Sequence, residues 1–140
     1  EIAKVAQIGT PREIYFKPQN RFVADFIGTI NCIKCQAREG QLIFPAGRIP
    51  LKNAPHVHAQ ENKEVEIFFR PEHADVVETG QGHFKTCVAA SFFMGDHTRL
   101  LLDWTGTEYL TIEAKGNQSF KKGQVVEIRI DPTALLTLKV

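Results

Sequence analysis

From residue 29 onward the apolar positions fall in short alternating runs separated by Gly, Pro, Asn and Asp, the pattern of antiparallel sheet. The strands this predicts are Asn31–Arg38, Gln41–Phe44, Glu64–Arg70, Phe84–Phe93, Thr98–Trp104, Tyr109–Ala114, Val125–Ile130 and Leu135–Val140. Turns are expected at Glu39-Gly40, Gly80-Gln81-Gly82, Gly95-Asp96, Thr105-Gly106, Gly116-Asn117, Lys122-Gly123 and Asp131-Pro132. Residues 45–63 carry three prolines and little periodicity, so they read as a loop with room for one short edge strand. Many short strands of this kind close into one or two small barrels, because closure removes exposed edges.

The first 28 residues follow a different pattern. Thr10-Pro11-Arg12-Glu13 has the form of a capping box, with Pro11 suited to the first helical position, so a helix should start there and stop by Lys17 ahead of Pro18. Asn20 can cap a second short helix that places Phe22, Val23, Phe26 and Ile27 on one face, and Gly28 ends it. The expectation is a mainly β chain with an N-terminal pair of short helices.

Composition narrows the function classes. The 140 residues suffice for one ordinary domain or two small barrels sharing a core, without covalent staples. Seventeen basic and sixteen acidic side chains leave a net charge of +1, too little for the broad cationic field that nucleic acid selects, so no nucleic-acid partner is expected. No secretory leader and no run long enough for a membrane helix is evident, which points to a soluble segment. Three cysteines in strand-like surroundings favour reduced thiols and a cytosolic compartment.

Candidate chemistry is sparse. Cys32-x-x-Cys35 with His56 and His58 supplies the four ligands of a zinc site, but residues three apart on a strand point to opposite faces, which argues against a shared metal. Neither does this pair lead into a helix that would lower a thiol pKa for redox work. His73, His83 and His97 have no nucleophile or paired carboxylate beside them in sequence and do not suggest catalysis. Trp104 and Tyr109 flank a turn and are expected to pair across a hairpin. No Gly-rich phosphate-binding loop occurs anywhere in the chain.

One set of residues carries a resemblance. Gly9-Thr10-Pro11, Glu13-Ile14-Tyr15, Pro18 and Phe22-Val23-Ala24-Asp25-Phe26-Ile27-Gly28, with Arg70-Pro71-Glu72 further on, resemble the passage from the nucleotide-binding core of an ABC importer ATPase into its C-terminal regulatory TOBE domain. The family comprises importers of the maltose, polyamine and ferric-iron type, and the wording of the Phe-Val-Ala-Asp-Phe-Ile-Gly stretch is closest to the polyamine and iron members. The resemblance implies an OB-like double barrel over residues 29–140, preceded at 1–28 by the end of the ATPase core and its linker helices. It further implies a fragment without ATP hydrolysis of its own, with ATP and Mg²⁺ bound in the parent subunit. A homodimer is implied as well, joined through the parent ATPase core to membrane-spanning importer subunits at the cytoplasmic face of the membrane.

Site expectations follow from the same comparison. Arg70 and Glu72 at the end of a strand, and Gly95 and Asp96 in the turn after Phe92-Phe93-Met94, are the candidate ligand or partner contacts. On the residues alone Pro71 simply stops a strand and Gly95 supplies a tight turn. No catalytic, cofactor or metal residue is assigned. The alternative from a different class is a free-standing β-barrel that binds a small ligand or a metal.

Overall fold

A computed structural model describes residues 9–21, 24–25, 28–105, 108–116 and 118–138. Helix α1 spans Pro11–Phe16, and the capping box forms as its residues dictate: the Glu13 N–H donates to the Thr10 hydroxyl at 3.2 Å and the Thr10 N–H to the Glu13 carboxylate at 3.3 Å. Of the expected helix pair, this is the one helix delimited among the described residues. Phe22, Val23, Phe26 and Ile27, the apolar face expected for the second, lie outside them. Among the described residues Arg21, Ala24 and Asp25 are helical, the Ala24 N–H donates to the Asn20 carbonyl at 3.1 Å and the Gly28 N–H donates to the Ala24 carbonyl at 3.3 Å. Residues 1–8, read as the last strand of an ATPase core, also fall outside the description.

The remainder is two antiparallel sheets. The first contains β1 (Asn31–Arg38), β2 (Gln41–Phe44), β3 (Gly47–Pro50) and β4 (Glu64–Phe69) in the order β3-β2-β1-β4. The second contains β5 (Ala74–Val77), β6 (Phe84–Phe93), β7 (His97–Thr105), β8 (Glu108–Lys115) and β9 (Val125–Ile130) in the order β5-β9-β6-β7-β8. Strand β3 is the edge strand for which the proline-bearing stretch left room, and Pro50 sits at its end, where a missing N–H costs no ladder bond. Strand β5 has no signal of its own: four residues without alternation become a strand only because β9, far along the chain, pairs with them.

Two expectations fail. Leu135–Val140 does not form a strand over its described residues. Leu136 makes one bridge to Phe68, with bonds of 2.8 and 3.0 Å, while Thr137 turns its hydroxyl to the His58 N–H at 3.0 Å instead of extending a ladder. Tyr109 does not pair with Trp104, since a register shift at Trp104 places Tyr109 opposite Asp103. The bulge turns Trp104 inward onto Phe44 and Phe84, with ring centroids 5.8 and 5.1 Å away, and leaves Tyr109 exposed.

One apolar core joins both sheets, from Ile33, Leu42 and Ile67 on one side to Leu100, Ile112 and Ile128 on the other. Two features fix how the sheets meet. Gly47 lies so close to the second sheet that a Cβ there would stand 2.0 Å from the His83 carbonyl oxygen, which only glycine permits. Asn31, 5 % exposed, donates to the Thr111 carbonyl at 2.8 Å and accepts the Thr111 N–H at 2.8 Å. Its side-chain amide thus stands in for a strand beside β8. Among the described residues, no helix is long and apolar enough to cross a membrane.

Candidate functional site

The chain passes from the first sheet to the second through Arg70-Pro71-Glu72, a corner held by several side-chain hydrogen bonds. Pro71 opens a single 3-10 turn, Pro71–His73, that ends β4 and leads into β5. Arg70 is 3 % exposed, and its guanidinium donates to the carbonyls of Ala24 and Gly28 at 3.0 Å each, and to those of Thr29 and Tyr15 at 3.3 Å each. It also stacks over the Tyr15 ring at 4.4 Å. Burial draws the guanidinium pKa downward, while Tyr15, Glu72 and Asp25 oppose that shift. The Tyr15 hydroxyl donates in turn to the Glu72 carboxylate. Burial first, and this hydrogen bond second, push the Tyr15 pKa up to about 12. Arg70 and Glu72 therefore clamp the helical segment to the sheets through both Nη groups of the guanidinium and through the Glu72 carboxylate, while Arg70 Nε is buried without a hydrogen-bond partner.

Behind the clamp lies a groove of two connected recesses. The first, about 390 Å³, is walled by Glu72, His73, Asp75, Lys115, Arg129 and Asp131. The second, about 400 Å³, shares His73 and Asp131 and continues to Phe16, Lys17, His56 and Thr133. The groove's carboxylates are already engaged. Glu72 accepts from Tyr15, Asp75 accepts the N–H groups of Val76 at 2.8 Å and Lys115 at 3.3 Å, and Asp131 accepts the Thr133 N–H at 3.0 Å. The side chains of Lys115 and Arg129 form no ion pair among the described residues, although Asp75 stands opposite Arg129 in register. His73 Nδ1 is buried without a hydrogen-bond partner. Chemically the groove sets the cationic groups of Lys115 and Arg129 beside three carboxylates that are hydrogen-bonded yet still charged, so its polar character is mixed.

The other candidate pair is elsewhere. Gly95 and Asp96 form the two-residue tip of the β6–β7 hairpin, and a positive φ of 105° at Gly95, with none at Asp96, is the II′ pattern that a right-twisted hairpin favours. The Asp96 carboxylate meets His97 Nδ1 at 2.7 Å, and that bond lowers its pKa. Among the described residues no hydrogen bond or ion pair joins this tip to Arg70 or Glu72.

The cysteines occupy opposite faces of β1, as strand parity requires. Cys35 is buried, and Cys32 is half-buried with its thiol donating to Glu66 at 3.3 Å. Burial is the leading cause that pushes both thiols up to about 12. His56 and His58 are exposed on the loop, and no group of three or more His, Cys, Asp or Glu side chains converges as a metal site among the described residues. A further carboxylate is held internally: Glu127 accepts the N–H groups of Gly80 at 3.0 Å and of Gly82, and these bonds lower its pKa.

Sequence reasoning missed Tyr15 as the partner of both Arg70 and Glu72, and missed Lys115 and Arg129 altogether. Nothing in their local sequence signals the groove, because β5, β8 and β9 bring its walls together only in the fold.

Two antiparallel sheets on one core, joined through a buried Arg-Pro-Glu corner, define a small OB-like β domain. The TOBE domain family model matches residues 67–138, more than half of the chain, and the chain belongs to that family. Among solved structures, the chain is similar to the cytoplasmic molybdate-binding protein ModG with molybdate bound, at 13 % identity and a TM-score of 0.55, over 88 % of this chain and 99 % of ModG. The mainly β, OB-like fold expected from the strand pattern and the family resemblance is the observed one.

Proposed function

We propose that the chain is the C-terminal regulatory and dimer-supporting domain of the ATP-binding subunit of an ABC importer of the polyamine or iron type. The observation that carries this reading is the Arg70 clamp. The Arg-Pro-Glu of the β region grips the backbone of the Gly-Thr-Pro to Gly28 segment, so a motion of whatever precedes that segment reaches the sheets through a bonded lever. In this reading residues 1–28 are the end of the ATPase core with its linker, and residues 29–140 are the regulatory domain. The fragment hydrolyses no ATP, and ATP with Mg²⁺ belongs to the parent core. Its partners are a second copy and, through the core, the membrane-spanning subunits at the cytoplasmic face of the membrane. Arg70 and Glu72 serve here as the clamp, and Gly95 and Asp96 as a partner contact.

Reading the coding sequence upstream of Glu1 tests the proposal. A phosphate-binding loop followed by the ABC signature is expected, and a start codon a few residues ahead of Glu1 overturns it.

A second reading is supported by Lys115 and Arg129, which form no ion pair among the described residues, and by the likeness to ModG, nearly all of whose chain is matched. In it the chain is a free-standing barrel that binds a small anion. Titration calorimetry with molybdate, sulfate and phosphate separates the two: saturable binding lost in Arg129→Met supports the second reading, and no heat with any of them removes it.

A further inference from the structure

Strand β6 is paired on both sides only over its first half. Phe84–Cys87 face β9, and the turn after Lys121 closes the same side as far as Val88, whose N–H donates to the Gln124 carbonyl at 2.9 Å and whose carbonyl accepts the Gly123 N–H at 2.7 Å. Beyond Val88 only β7 is paired among the described residues, which leave Ala89–Phe93 as an open edge. The register shift at Ala89 is the sole feature there of the kind that protects an edge; the stretch has no charge and no proline. Its far end is apolar and solvent-facing, with Phe92, Phe93 and Met94 exposed by 55 %, 66 % and 55 %.

The hairpin fixes which groups face outward. The Met94 N–H donates to the His97 carbonyl at 2.9 Å, so by antiparallel alternation Phe92 and Ala90 spend their backbone groups on β7, while Ser91 and Phe93 turn theirs to the open side. We propose that a second copy of this chain adds to this edge, antiparallel, with the two-fold axis at Ser91.

That register sets Phe93 of each copy opposite Ala89 of the other and Phe92 opposite Ala90, a large side chain against a small one each time. It also brings the tip residue Asp96, whose side chain is 91 % exposed, toward the other copy's Lys121-Lys122 turn, which flanks the edge at Val88. Both lysines are exposed and neither forms an ion pair among the described residues. Two-fold symmetry makes this acid–base encounter occur twice. A strand from an unrelated protein would satisfy the edge but would match neither the Phe–Ala steps nor the Asp–Lys pairs. The inference rests on the dimer role proposed above for its choice of partner, and on the edge for its location.

Analytical ultracentrifugation of the 140-residue chain is the test. A reversible dimer is expected. Ser91→Pro should abolish it by removing an outward N–H that β7 does not use, with circular dichroism reporting whether the fold survives. Asp96→Lys, and separately Lys121→Glu with Lys122→Glu, should each weaken the dimer about tenfold, roughly threefold for each of two exposed charge contacts, and the combined variant should restore it. Because the charge exchange leaves the strand intact, it decides the question even where Ser91→Pro fails to fold. A dimer indifferent to both sets of changes overturns the surface while leaving the dimer role in place. A strictly monomeric chain overturns the second copy as occupant, whereas the ATPase reading stands or falls separately on the upstream sequence.

Discussion

The Arg70 corner and the β6–β7 tip are made of the same ingredients, aromatic rings beside charged side chains at a tight turn, yet one is closed and the other open. At the corner, Arg70 binds the carbonyls of Tyr15, Ala24, Gly28 and Thr29, and Glu72 takes the Tyr15 hydroxyl. At the tip, Asp96 bonds its own neighbour His97, while Phe92 and Phe93 stand in solvent. The difference lies in reach. Each of these side-chain hydrogen bonds of Arg70 and Glu72 joins residues more than forty positions apart, so the corner is completed by the fold, whereas the tip is completed by its own hairpin. Affinity for something outside the chain is left where the chain has not already supplied the partner.

The strongest way to break this contrast is to open the corner. Arg70→Met leaves four backbone carbonyls without their charged donor, and a loss of about 3 kcal/mol is expected in urea unfolding, since hydrogen bonds to charged groups are individually among the larger ones. Arg70→Lys should recover little of it, because an ammonium cannot reproduce the planar fork. An unchanged midpoint would show that the helical segment is held by other means.

Smaller effects sharpen the comparison. Tyr15→Phe removes one hydrogen bond and should cost about 1 kcal/mol. Its pH signature is distinct. Tyr15 in the folded chain titrates near 12 rather than the ordinary 10.0, so the stabilisation is fully present below pH 10 and is lost as pH rises through about 12. Phenolate absorbance should show one of the two tyrosines ionising late, and that step should vanish in the variant. At the tip, Gly95→Ala meets open space but must hold a positive φ, so the expected cost is about 1 kcal/mol, from backbone strain alone. Phe93→Ser should change the stability of the unassociated chain by less than about 0.5 kcal/mol, as befits an exposed side chain. A larger loss in dilute solution would mean that the tip packs within its own chain.

The fold was legible where its causes are local. Thr10 to Glu13 specifies its capping box unaided, Glu39-Gly40 takes up the two successive positive φ values of a tight hairpin turn, and Phe84–Phe93 and Val125–Ile130 announce themselves by their apolar runs. Strand β5 was not, since Ala74–Val77 acquires its conformation from β9. Nor could the end of the chain be read correctly, because an apolar run cannot reveal that Thr137 will be taken up by His58. The Arg-Pro-Glu motif marked the place where the chain turns from the first sheet to the second, but the sequence holds no sign that Tyr15 lies between its two charges. The groove was invisible for the same reason: Lys115 and Arg129 are ordinary surface cations until β8 and β9 set them beside His73.

The Asn31 amide has a consequence for the order of assembly. On a ribosome the four strands of the first sheet are available once residue 69 has emerged, and with them the 3.4 Å bond from the Asn31 amide to the Phe69 carbonyl, yet the amide's acceptor and its shorter donor bond wait for Thr111, eighty residues later. The first sheet can thus form early, but the group that locks it in place has only part of its bonding until β8 arrives. Docking of the two sheets is therefore a late step of high contact order, and replacing Asn31 should speed unfolding far more than it slows the formation of the first sheet.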